Sequence, residues 1–208
     1  MSKSNKSDQF FVTAVTVAAN LKLIIREAKN ISLGSMNAKS IVARSGNNAR
    51  AIQPITDYME MLASKIISQV NEVSQQSLGV TQISLAGFAE ERARNQFDWA
   101  IQNGQEMTYI SHIQPFATDS KNQVKDIHQT IRHHIKELQM TLDEIDNNLV
   151  ATNVATSKFR LEVGINDTGY SEHFLALLEN FEIAAHKIRS TIAESKKALN
   201  ESARKYFK

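Results

Sequence analysis

The side chains best suited to chemistry are three histidines and a carboxylate, His128, His133, His134 and Glu137. A metal centre needs imidazoles that share a helix face. His128 and His133, five residues apart, do not, and no Glu-x-x-His pair exists to build a di-metal site inside a bundle. These groups are expected on solvated faces, as are His112, His173 and His186, which stand singly, and the adjacent Glu90 and Glu91. The absence of cysteine excludes thiol nucleophiles, disulfides and Cys-based zinc sites. No P-loop, dinucleotide glycine pattern, Gly-x-Ser-x-Gly or His-Glu-x-x-His occurs. The sequence thus predicts no enzyme, no catalytic or metal-ligating residue and no cofactor. Trp99 and Tyr109 are the aromatics a ligand pocket would use, but a place in the core is the expected one.

The elements around these residues follow from composition. In 208 residues there are two Pro, seven Gly, 42% apolar and 7% aromatic residues, which favours long helices joined by few turns and packed along slim seams. With 24 basic and 22 acidic side chains interleaved, the net charge of +2 provides no strong field for nucleic acid. The longest apolar stretch, residues 10–25, is interrupted by Thr13, Thr16, Asn20 and Lys22 and is too short and polar to span a bilayer. The leader MSKSNKSDQ lacks the hydrophobic core of a secretory signal, so a cytoplasmic location is expected.

Apolar residues then recur at spacings of three and four, the mark of one helical stripe. Phe10, Val17, Ile24, Ile31 and Ala38 alternate with Ala14, Leu21, Ala28 and Val42, and Ser35 fills the missing rung. Ser45 to Asn48 reads as a reversal. Beyond it come Ile52, Ile55, Met59, Leu62, Ile66, Val73, Val80 and Ile83, with polar rungs at Gln69 and Gln76. Pro54 suits a first turn, so the second helix should start near Gln53. Residues 82–113 look helical but less regular, with Pro115 expected to end them and a polar turn at 118–121. From Ile131 through Leu138, Ile145, Thr152 and Phe159 to Val163 the alternation is unbroken. A second break at 164–169 precedes a stripe through Phe174, Leu177, Phe181, Ala184, Ile188, Thr191 and Ala198, with Ser171 as its N-cap. Residues Ile52 to Leu62 match Phe174 to Ala184 at a constant offset of 122, as a duplication would.

The predicted architecture is all-α: long antiparallel helical hairpins forming a four-helix, coiled-coil-like bundle within a single elongated domain, 1–208. Hairpin 1 spans about 10–85 with its tip at 45–49, a less regular helical connection covers 86–125, and hairpin 2 spans about 126–206 with its tip at 164–170.

Across the first tip, Asn37-Ala38, Ala43-Arg44, Gly46, Arg50 and Leu62-Ala63 fall without a gap at the spacing of a known pattern. Over about residues 24–70 the chain resembles the cytoplasmic signalling hairpin of methyl-accepting chemotaxis receptors. That resemblance implies a tip that binds a histidine kinase and its coupling protein, and hairpins that cluster through residues just before the reversal. Transferred by position, the partner-binding residues are Leu33, Met36, Asn37, Ile41, Arg44, Gly46, Asn47, Arg50 and Pro54, with Lys29 beside them. The family pattern has Phe at Lys29, Glu at both Ile41 and Asn47, and Val at Pro54, so the carboxylates that would pair with arginine are missing. Its methylation sites need paired Glu or Gln flanked on both sides by small residues, and Glu90-Glu91 has them on one side only.

The expected function is therefore non-enzymatic signal transduction through protein–protein contacts at the tip. Expected partners are a second copy, as a homodimer or higher homo-oligomer, and a chemotaxis kinase, coupling protein or chemoreceptor. A small-ligand sensor with a pocket in residues 82–130, or a structural spacer, is the alternative.

Overall fold

The computed structural model describes residues 6–45, 52–104, 110–165 and 171–206. Among the described residues there is no strand. Four α-helices follow one another: α1 (Lys6–Ser45), α2 (Gln53–Asn103), α3 (Ile110–Ile165) and α4 (Ser171–Tyr206). None is long and apolar enough to cross a membrane. The chain divides into two compact units, one holding Met1–Val17, Gln75–Gln139 and Ala198–Lys208, the other Ala18–Ser74 and Met140–Lys197.

The stripe read in α1 is buried from Ala14 to Val42, and all ten rungs from Ile131 to Val163 are buried in α3. Ser35 holds its rung because its hydroxyl donates to the backbone carbonyl of Thr56 on α2, which removes the cost of an unpaired buried donor. Past Val73 the buried positions of α2 are Ser77, Val80, Ser84 and Gly87, not Gln76 and Ile83. The Ser84 hydroxyl donates a hydrogen bond to the Val80 carbonyl, so a small self-satisfied side chain takes the seam and leaves bulkier Ile83 at its edge. In α4, likewise, Leu178, Ile192 and Leu199 are buried where Leu177, Thr191 and Ala198 were expected. A period of 3.6 lets either i+3 or i+4 flank a rung, and the larger hydrocarbon surfaces at Ile192 and Leu199 decide it.

The connection departs further. Helix α2 runs on to Asn103, and α3 passes through both Pro115 and the expected turn at 118–121. Pro115 sits close enough to the start of α3 that only the bond to the Ser111 carbonyl is lost, which a long helix tolerates. The break falls instead at Gly104, whose N–H donates to the Ala100 carbonyl at 2.9 Å. A Cβ there would lie 2.8 Å from that carbonyl oxygen and 2.8 Å from Ile110 Cδ1, so only glycine fits.

In the unit that holds both tip-proximal ends, α1 meets α2 through Lys39 and Glu60, and α4 through Asn20 and Ser195; α3 meets α2 through Asn148 and Lys65, and α4 through Asp146 and Arg189. Paired residue numbers run in opposite directions, as between Asp143–Lys196 and Arg160–Glu182, so these neighbours are antiparallel. Burial also repeats between the halves. Positions of α1 recur in α3 at an offset of 121, and those of α2 in α4 at 122, with Thr56 matching Leu178, Ala63 matching Ala185 and Val70 matching Ile192. Cross-helix pairs repeat too: Lys39–Glu60 corresponds to Arg160–Glu182, and Lys187–Glu27 to Lys65–Asn148. Repeated pairing adds to what shared heptads alone would give.

Two substitutions test the register of α4. Leu178→Ala is expected to lower unfolding free energy by about 2–5 kcal/mol and Leu177→Ala by roughly 1 kcal/mol, measured by urea titration.

Candidate functional site

The outward face of α1 before the first tip carries Leu33, Met36, Asn37 and Arg44, which fall at helical spacing on one side. Leu33 is 59% and Met36 48% exposed, although the opposite side of the same helix is buried throughout. Lys29 is exposed on the same face, one turn earlier, and Ile41 is half-buried at its margin. Arg44 lies in the last turn, where the helix dipole favours a cation. Pro54 is exposed in the first turn of α2, where its missing N–H costs nothing. Gly46, Asn47 and Arg50 lie outside the described residues. The structure thus groups Leu33, Met36, Asn37 and Arg44 on one surface and places Pro54 on the neighbouring helix.

Beside this face, Lys39 bridges from α1 to two carboxylates of α2, Asp57 at 2.7 Å and Glu60. Hydrogen bonds that Lys39 donates to Asp57 and then to Glu60 raise its pKa above the ordinary 10.5. The spacing pattern gave no hint of this clamp, since it depends on which side of each helix flanks the seam. Glu27 is a buried carboxylate of the same unit; Arg26 at 3.2 Å and Lys187 at 3.9 Å balance its charge, and the Asn30 amide donates a hydrogen bond to it at 3.3 Å.

In the unit containing residues 75–139, Glu91 is a partner of His128 from α3 at 2.9 Å, and both groups, expected on solvated faces, are half-buried. The oxygens of Glu137 separately meet His133 at 3.2 Å and His134 at 3.1 Å. Among the described residues no group of three or more His, Cys, Asp or Glu is arranged to hold a metal ion. Phe88, Glu91, Arg92 and Asn95 line a cavity of about 300 Å³. Trp99, expected in the core, is 68% exposed, and the buried aromatic pair is Phe159–Phe174, edge to face at 6.0 Å.

Because a raised lysine pKa stabilises the fold fully below the unfolded value, the contribution of Lys39 is complete below pH 10.5 and is lost as pH climbs through the folded value. Lys39→Gln is expected to be slightly less stable than the parent at neutral pH, with the two curves converging in the alkaline limb of a pH-resolved denaturation series.

Compared with family models, curated proteins and solved structures, the chain finds no significant match in any of the three.

Proposed function

We propose that this chain is a non-enzymatic signal-transduction protein that acts through protein–protein contacts at the tip of its first hairpin, as its resemblance to the chemoreceptor signalling hairpin implies. In this reading the antiparallel neighbours within each unit form a four-helix, coiled-coil-like bundle. The bundle presents Leu33, Met36, Asn37, Ile41, Arg44 and Pro54, together with Gly46, Asn47 and Arg50, to a partner in the cytoplasm. A chemotaxis histidine kinase, its coupling protein or a chemoreceptor is the partner class, and the chain self-associates. The carrying observation is the exposed apolar pair Leu33 and Met36 on a helix that already buries its other side. Outward positions of a soluble helix are ordinarily charged, and uncovered hydrocarbon beside a turn is what a partner surface requires. The loss of carboxylates at Ile41 and Asn47 alters the contact chemistry, so recognition here rests on apolar packing and on Arg44 rather than on paired charges.

Ile41→Glu or Arg44→Ala is expected to abolish co-purification of the partner from the native cell while helicity by circular dichroism stays unchanged. Retained capture by both variants overturns the reading.

The cavity beside Phe88, Glu91, Arg92 and Asn95 favours a second reading, a small-ligand sensor, since it pairs an apolar wall with both charges. Under that reading a metabolite screen raises the melting temperature, and Arg92→Ala removes the rise. No rise across the screen leaves the tip as the working surface.

A further inference from the structure

The halves of the chain repeat only in part. At the offsets of 121 and 122, Lys6 at the start of α1 corresponds to Ile127, and Tyr206 at the end of α4 to Ser84. Among the described residues, the stretch of α2 after Ser84 and that of α3 before Ile127 therefore have no counterpart. The Gln139–Asn200 hydrogen bond agrees, since six residues on along α4 and six back along α3 bring Tyr206 to the height of His133. Burial changes at the same place. From Phe88 to Thr130 the buried residues among those described are Gly104, Ser120 and Val124, whereas every third or fourth residue is buried on either side.

In this stretch α2 and α3 have chiefly each other. Gly104 packs against Ile110, and stepping back along α2 while stepping forward along α3 sets Ile101 opposite Ile113, Phe97 opposite Ala117 and Arg94 opposite Ser120, again at spacings of three and four. The apolar members are only half-buried, and the last pair is polar. Ser120 Oγ and Arg94 Nε are buried atoms without a hydrogen-bond partner, the nearest carboxylate to that nitrogen being Asp98 at 3.9 Å. An orphaned buried donor destabilises the closed state, and two of them face a seam with little hydrocarbon to offset the cost. At the base of the stretch Glu91 and His128 join the helices at 2.9 Å.

We infer that residues 92–104 and 110–126 form an arm that opens as one cooperative element while the rest of its unit stays folded, with the Glu91–His128 contact as the clasp at its base. Weak closure follows from the half-buried rungs and the orphaned polar pair, and independence follows from the lack of a further helix against the arm. Glu91 also lines the cavity beside Phe88, so the carboxylate that holds the arm shut is one that a molecule entering the cavity meets.

Hydrogen–deuterium exchange of the full-length protein, read by mass spectrometry, tests this. Peptides within 92–104 and 112–126 are expected to share one level of protection, about a hundredfold below that of peptides covering Val80 and Leu138. Glu91→Gln is expected to lower protection throughout the arm by roughly threefold, and Ser120→Ala, which removes an orphaned hydroxyl, to raise it by a similar factor, with the Val80 and Leu138 peptides unchanged in both. Equal protection of arm and neighbours, no protection in the arm, a gradual decline along it in place of a common level, or variants that shift the Val80 and Leu138 peptides as much as the arm overturns the inference.

Discussion

Everything in this fold depends on one geometric requirement: a helix of 3.6 residues per turn must keep a single stripe of side chains turned inward along its whole length. Rungs at alternating spacings of three and four satisfy it from Ala14 to Val42 in α1, Ile55 to Gly87 in α2, Ile131 to Val163 in α3 and Phe174 to Ser202 in α4. The antiparallel neighbours then bury Ile24, Ile66, Ile145 and Ile188 completely in one unit. Hydrocarbon removed from water along these stripes supplies most of the stabilisation. The ion pairs at their margins, such as Arg160–Glu182, are half-exposed and contribute specificity of pairing more than energy.

The two compact units use the same pattern with different materials. In the unit holding Ala18–Ser74 and Met140–Lys197 the rungs are mostly Ile, Leu, Val and Phe, closed by the Phe159–Phe174 contact. In the other, Ser77, Ser84, Ser120 and Ser202 take inward positions. A serine removes little apolar area from water, so that second unit rests on less buried hydrocarbon per turn, and local opening costs it less. The cavity at Phe88 and the His128–Glu91 link both occur there.

Where hydrophobic rungs are large and unbroken, the sequence alone placed them: α1 and the run from Ile131 to Val163 are buried as their spacing predicts. Legibility failed where the inward residue is small and polar. Ser77 and Ser84 look like surface residues because nothing in a one-dimensional pattern shows that neighbouring helices approach closely enough to cover them. The Pro115 error had another source, since a proline near a helix start and one after a helix end read alike until the neighbouring break at Gly104 is known. Of the candidate site, Leu33, Met36 and Arg44 were singled out by the tip pattern and lie exposed on one face of α1, whereas the exposed apolar positions of α3 were not singled out. A heptad search looks for the stripe that a helix buries; the uncharged outward positions at Val150, Val154 and Leu161 emerge only once the inward set is assigned.

The offsets that relate the halves, 121 for the first arms and 122 for the second, differ by a single residue, and that residue falls between the buried ends at Val163 and Phe174. An extra residue within an arm would rotate every later side chain by about 100° and turn the stripe outward. Between the arms it turns nothing, because loop closure responds only weakly to length. A residue added between the arms is therefore expected to disturb the buried stripes far less than one added within an arm.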